Sequence, residues 1–193
     1  MIDKIENLFK EKFNNKIFTI KEISEDKTNE EYLCLYTNKF YDLDKIAKIY
    51  SSTWESCDMI FFTQKKIILV EFKNGKIKSS QKPKIIRKFL NSYALLYEIL
   101  QDLGISKDKF WQLKIDLIFV TSKYKNDGQF NYRQNIQQKD SLEILNLLEN
   151  NIILYDFAKY KDWYFNKIYT PFCEDNEFKN IMNKYGILLK EQQ

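Results

Sequence analysis

Apolar and polar positions alternate with two different periods along this chain, and the change of period marks out its elements. Ile2, Ile5, Leu8 and Phe9 recur at helical spacing, with Phe13 one turn on, which predicts an amphipathic helix over about residues 2–13. Lys16 to Ile23 alternates, with Ile17, Phe18, Ile20 and Ile23 apolar, and reads as a strand. Ser24 to Glu31 is polar and suits a loop or a helix start, and Tyr32 to Thr37 is a short apolar run. Leu43 to Tyr50 reads as a short helix with Asp42 near its N-terminus, where a carboxylate meets the helix dipole favourably.

The most ordered pattern lies in the middle of the chain. Cys57 to Phe62 is a strand candidate, Thr63 to Lys66 a polar turn, and Ile67 to Lys73 a second strand closed by Asn74-Gly75. The second strand is apolar on both faces until Glu71, as expected of a central strand covered on both sides. Pro83 suits a helix start. Ile86, Phe89, Leu90, Tyr93, Leu96, Tyr97 and Leu100 then form one stripe of a long helix that ends near Gly104. Trp111 to Thr121 reads as another buried strand, and Lys123 to Lys139 as a polar loop. Ser141 to Glu149 reads as a helix with Ser141 as its N-cap, Ile152 to Tyr155 as a short strand, and Glu177 to Lys184 as a last helix. There is no internal repeat and no Gly/Ser tether. The order predicts a single α/β domain over residues 1–193, with a mixed central β-sheet flanked by helices.

Composition narrows the chemistry. With 44% hydrophobic and 16% aromatic residues, the chain has the means to build a packed core. It has no histidine, which excludes Ser-His-Asp and Cys-His catalysis, His-ligated zinc and histidine general bases. Acid–base work therefore falls to carboxylates, lysine, tyrosine or water. Cys34, Cys57 and Cys173 are far apart and form no C-x-x-C, so they read as small buried hydrophobes in a reducing compartment. No stretch has the pattern of a signal peptide or the length of a membrane span, and the expected location is cytoplasmic. The net charge of +4 suits a nucleic-acid partner without demanding one.

Three residues of the central hairpin do not suit a purely structural strand. Asp58 lies near the start of its first strand. Glu71 and Lys73 lie at the end of the second, two residues apart, so their side chains leave the same face. A turn over Thr63–Lys66 can bring Asp58 back beside Glu71. Two such carboxylates repel unless a proton or cation separates them, and a hard divalent cation such as Mg²⁺ prefers oxygen ligands. A bound metal would polarise a phosphoryl oxygen and acidify a water. Lys73 would orient or help deprotonate that water, or stabilise the charge that develops on phosphorus, and the main-chain carbonyl of Phe72 is a candidate further ligand. The plainer reading is a Glu71–Lys73 ion pair at a strand end, worth little.

An Asp on one strand followed by Glu-x-Lys on the next resembles the PD-(D/E)xK, or restriction-endonuclease-like, nuclease superfamily. The matching residues are Cys57-Asp58-Met59-Ile60 and, after twelve intervening residues, Val70-Glu71-Phe72-Lys73. The resemblance spans about residues 43–121. It implies a restriction-endonuclease-like core, Mg²⁺ or Mn²⁺ dependence and phosphodiester hydrolysis, with Asp58, Glu71 and Lys73 as the catalytic set. Cys57 stands where the motif has proline, and the following helix lacks the Gln-x-x-x-Tyr of RecB-like exonucleases. Members often take another acid from an upstream helix, for which Glu31, Asp42, Asp44 and Glu55 are the candidates.

Lys82, Lys84, Arg87 and Lys88 open the helix after the motif and are candidates to hold backbone phosphates; a solvated basic face is the competing reading. Lys123, Lys125, Arg133 and Lys139, with Tyr124, Phe130 and Tyr132, read more simply as a solvated loop than as a strand clamp. Trp163, Tyr164, Phe165, Tyr169 and Phe172 suit core closure or a dimer contact. The expectation is thus a Mg²⁺-dependent nuclease, a DNA endonuclease with DNA ahead of RNA as substrate, acting in restriction, phage defence, mobile-element biology or repair. A homodimer would allow both strands to be cut. The alternative is a catalytically inactive nuclease-fold module that binds nucleic acid or a protein.

Overall fold

The computed structural model describes residues 1–75, 82–122 and 172–191. Its centre is a mixed sheet of six strands: β1 (Ile17–Thr19), β4 (Lys39–Asp42), β5 (Met59–Phe62), β6 (Ile67–Lys73), β7 (Ile115–Thr121) and β8 (Phe172–Glu174), neighbours in that order. The pairs β1/β4, β4/β5 and β5/β6 are antiparallel, whereas β6/β7 and β7/β8 are parallel. A separate two-stranded hairpin joins β2 (Glu25–Asp26) to β3 (Glu31–Tyr32).

Strand alternation divides the core into two layers. Ile60, Ile67, Leu69, Ile115 and Leu117 face helices α1 (Ile2–Phe13), α3 (Leu43–Tyr50), α4 (Lys82–Asp102) and α5 (Lys107–Trp111). Met59, Phe61, Ile68, Val70, Phe72, Ile118 and Val120 face the other side, where Ile20, Leu33 and Cys34 join Phe178 and Met182 of helix α6 (Asp175–Lys184). The central strands β6 and β7 are covered on both faces, which explains their unbroken apolar runs. In α1, Phe9 is fully buried and meets Phe13, Tyr41 and Phe62 edge-on at 4.9–5.6 Å. This seats the opening helix on β4 and β5.

The expected hairpin is present. The Thr63 N–H donates to the Lys66 carbonyl at 2.9 Å, and the Thr63 hydroxyl accepts the N–H groups of Lys65 and Lys66. Other segments differ from the sequence reading. The alternating run at residues 16–23 forms only the short strand β1 before turning into α2 (Ile20–Ile23). A capping box is the cause: the Thr19 hydroxyl accepts the Glu22 N–H, and the Glu22 carboxylate accepts the Thr19 N–H. The apolar run from Tyr32 contributes little strand, and the sheet is continued by Lys39–Asp42, which carries only four residues of weak pattern. Trp111 closes α5 instead of opening a strand, and β7 begins at Ile115. The last helix begins two residues earlier than expected, at Asp175.

The expected loop at 123–139, helix at 141–149, strand at 152–155 and aromatic cluster from Trp163 to Tyr169 lie outside the described residues. Cys34 and Cys57 are both buried. Among the described residues no helix is long and apolar enough to cross a membrane.

Candidate metal and phosphate site

Register, not proximity in sequence, brings the two carboxylates together. The β5–β6 ladder pairs Ile60 with Leu69 and ends at Met59 with Val70, and Asp58 and Glu71 are the next residue on each strand. Both share the face of Ile60 and Leu69, beneath α4. Asp58 is fixed by its own backbone: its N–H donates to the Val70 carbonyl at 3.0 Å, and its carbonyl accepts the Leu43 N–H at 2.9 Å. Its side chain is held as well, since Oδ2 accepts the Phe72 N–H at 2.6 Å.

The amine at the site comes from α4. Lys88 Nζ lies 2.7 and 3.0 Å from the two carboxylate oxygens of Glu71 and 3.3 Å from Oδ1 of Asp58. Glu71 is almost wholly buried, with its side chain 4% exposed, while those of Asp58 and Lys88 are each 21% exposed. The trio therefore opens to solvent on one side and is backed by the core on the other. Among the described residues no hydrogen bond or ion pair joins Lys73 to Asp58 or Glu71. Lys73 lies at the open end of β6, where its charge adds to the lowering of Asp26, a carboxylate held down mainly by the Asn29 side chain.

Electrostatics follow from this burial. Desolvation raises the Glu71 carboxyl well above its usual range, and repulsion from Asp58 adds to the rise. Desolvation also raises Asp58, against the pull of Lys88 and the Phe72 N–H. Burial weakens the Lys88 ammonium, but the two carboxylates outweigh it and keep the amine protonated beyond the ordinary lysine range. Burial pushes up the Cys57 thiol, which stays neutral next to them.

Three contacts stitch the segment before Asp58 along α4. Trp54 Nε1 donates to the Asn91 carbonyl, Arg87 pairs with Glu55 at 2.9 Å, and the Cys57 N–H donates to the Ser92 hydroxyl at 2.6 Å. Ser92 in turn donates to the Lys88 carbonyl at 2.7 Å, so one hydroxyl links the backbone beside Asp58 to the backbone of Lys88. Ser92→Ala should leave a buried N–H unpaired and cost about 1–3 kcal/mol of stability. A shift of the urea midpoint measures this; an unmoved midpoint would mean that Cys57 has another acceptor.

The remaining sequence candidates are distributed around the trio. Lys84 and Arg87 are exposed and both pair with Glu55, at 3.6 and 2.9 Å. The side chain of Lys82 lies outside the described residues. Asp42 caps α3 through the Lys45 N–H and pairs with the Lys45 ammonium, Asp44 pairs with Lys48, and Glu31 accepts from Asn74. The main-chain N–H of Phe72 reaches the site and donates to Asp58.

Lys88 is the site residue whose place the sequence reading missed, having counted it with the surface cations of α4. A signal was present: Lys88, Ser92, Leu95 and Ile99 are spaced at four, three and four residues, and the last three are fully buried. A lysine on a buried stripe needs a partner.

Among the described residues no group of three or more acidic or cysteine side chains is arranged to hold a metal ion. Two carboxylates on adjacent strands nevertheless fit Mg²⁺ or Mn²⁺, because Mg²⁺ commonly uses one or two protein carboxylates and completes its shell with water and substrate phosphate. No protein family, curated protein or solved structure matches the chain.

Proposed function

We propose that this protein is a Mg²⁺- or Mn²⁺-dependent nuclease with a restriction-endonuclease-like core formed by β4 to β7 and α4. The observation that carries the reading is that one ammonium, Lys88, spans the carboxylates of Asp58 and Glu71 at the exposed margin of a buried sheet. The hairpin, the α4 crossover and the parallel return in β7 support it. Asp58 and Glu71 would hold the metal, with the Phe72 carbonyl as a candidate further ligand. When bound, the metal supplies charge to a phosphoryl oxygen and acidifies water.

The remaining work falls to the chain's own groups. The Phe72 N–H fixes the rotamer of Asp58. Lys88, which Asp58 and Glu71 hold as an ammonium, would donate to phosphoryl oxygens. On this reading Lys88 takes the charge-stabilising part that the motif spacing gave to Lys73. Lys73, at the open end of β6, remains available to a phosphate entering from that side. Lys84 and Arg87, and Lys82 with them, would follow the backbone beyond the scissile bond. DNA is the favoured substrate, in a cytoplasmic setting of restriction, phage defence, mobile-element biology or repair, and a homodimer would serve double-strand cleavage.

Incubating the purified protein with single- and double-stranded DNA and RNA, in Mg²⁺, Mn²⁺ or EDTA, tests this. Cleavage should require the metal. A second reading has one observation in its favour: Lys88 already satisfies both carboxylates as a closed ion-pair network. A nuclease-fold module that only binds would retain nucleic acid equally well in EDTA and cut in none of the mixtures.

A further inference from the structure

We infer that Lys88 is a built-in competitor for the divalent cation, an ammonium that must leave Asp58 and Glu71 before both can bind metal. The inference rests on the metal-dependent reading above and concerns how that site is controlled.

A count of donors and acceptors leads to it. The two carboxylates have four oxygens, and each already accepts a protein donor. Both oxygens of Glu71 and Oδ1 of Asp58 face Lys88 Nζ, and Oδ2 of Asp58 takes the Phe72 N–H. Three of the four contacts thus come from one ammonium, whose three protons are matched to three oxygens. A divalent cation placed on those oxygens would meet a positive charge within hydrogen-bond distance of its own ligands. The two cations repel, so occupancy by one opposes occupancy by the other.

The chain gives the ammonium a way out. Lys88 is 21% exposed, and its four-carbon stem can swing by rotamer changes alone. Its backbone need not follow, because the Lys88 carbonyl is held by Ser92, which is itself held by Cys57. A displaced ammonium stays tethered beside the metal, where the phosphate of a bound nucleic acid offers it a new partner. Substrate should therefore ease metal entry, and the site would load fully only when both are present.

Calorimetric titration of the full chain with MnCl₂ alone tests the exchange. Lys88→Gln should bind Mn²⁺ more tightly than wild type, by roughly 5–150-fold, the usual span of coupling between two ligands. In wild type, amine labelling read by mass spectrometry should show Lys88 becoming more reactive as Mn²⁺ saturates. Equal or weaker Mn²⁺ binding by Lys88→Gln would overturn the exchange while leaving the metal site standing. Absence of Mn²⁺ binding by both proteins would overturn the metal reading and the exchange with it. Should Lys88→Gln fail to fold, labelling of wild type decides, and unchanged Lys88 reactivity at saturating Mn²⁺ overturns the exchange.

Discussion

Asp58→Asn should lower Mg²⁺-dependent cleavage by about 10³-fold, and Lys88→Ala by about 10²-fold, whereas Lys73→Ala should cost about tenfold or less. Polarisation by a bound metal is worth several kcal/mol, and about 4 kcal/mol corresponds to about 10³ in rate. Asp58 would face that whole loss, because on the proposed reading its carboxylate and that of Glu71, which both meet Lys88, hold the metal. Lys88 supplies a single charge-assisted donor, comparable to one donor of an oxyanion hole. Lys73 lies two residues beyond Glu71, with its charge felt at Asp26, so on the proposed reading its contact with substrate would be peripheral. Single-turnover rates at saturating Mg²⁺ separate these effects from metal affinity. If Lys73→Ala proved the more damaging lysine substitution, the motif spacing would have named the right amine and the α4 geometry the wrong one.

The sequence and the coordinates agree where a pattern is set by one element and its immediate neighbour. The β5–β6 hairpin was legible because its turn is short and its second strand is apolar until Glu71. The long helix was legible from its stripe and from Pro83 in its first turn. Agreement ends where a side chain overrides a period, as the Thr19–Glu22 box does in converting an alternating run into a helical turn. It also ends where the partner is distant. Strand β4 has little pattern of its own and is defined by pairing with β1 on one side and β5 on the other. Lys88 is the same case at the site: it lies seventeen positions after Glu71, and only the crossover of α4 over the sheet brings the two within 2.7 Å. Spacing within a motif finds groups on adjacent strands and misses a group that descends from the covering helix.

Lys88→Met should destabilise the protein by about 3 kcal/mol near neutral pH, the lower end of what removing one member of a buried ion pair costs. The lower end applies because Asp58 and the stem of Lys88 are partly exposed, so water can take over some of the lost contacts. The sign of the pH dependence follows from the carboxylates. The usual values of Asp58 and Glu71, 3.8 and 4.5, are both raised by burial in the folded state. Folded protein therefore binds protons more readily than unfolded chain above those usual values. The resulting stability is fully present below them and is lost as pH rises through the raised ones. Removing the ammonium raises both carboxyls further and leaves their charges unpaired, so the cost of Lys88→Met should be smaller at about pH 5 than at about pH 8. Adding Glu71→Gln to Lys88→Met removes one of the two unpaired charges and should restore most of the loss. Mg²⁺ at about 100 times its Kd adds about 2.7 kcal/mol to a folded form that binds it. That gain should be reached at lower Mg²⁺ in Lys88→Met than in wild type. Urea unfolding of both proteins at the two pH values, with and without Mg²⁺, measures every part of this. A cost that is small and independent of pH would mean that water already screens the two acids, and that the ammonium does not hold them together.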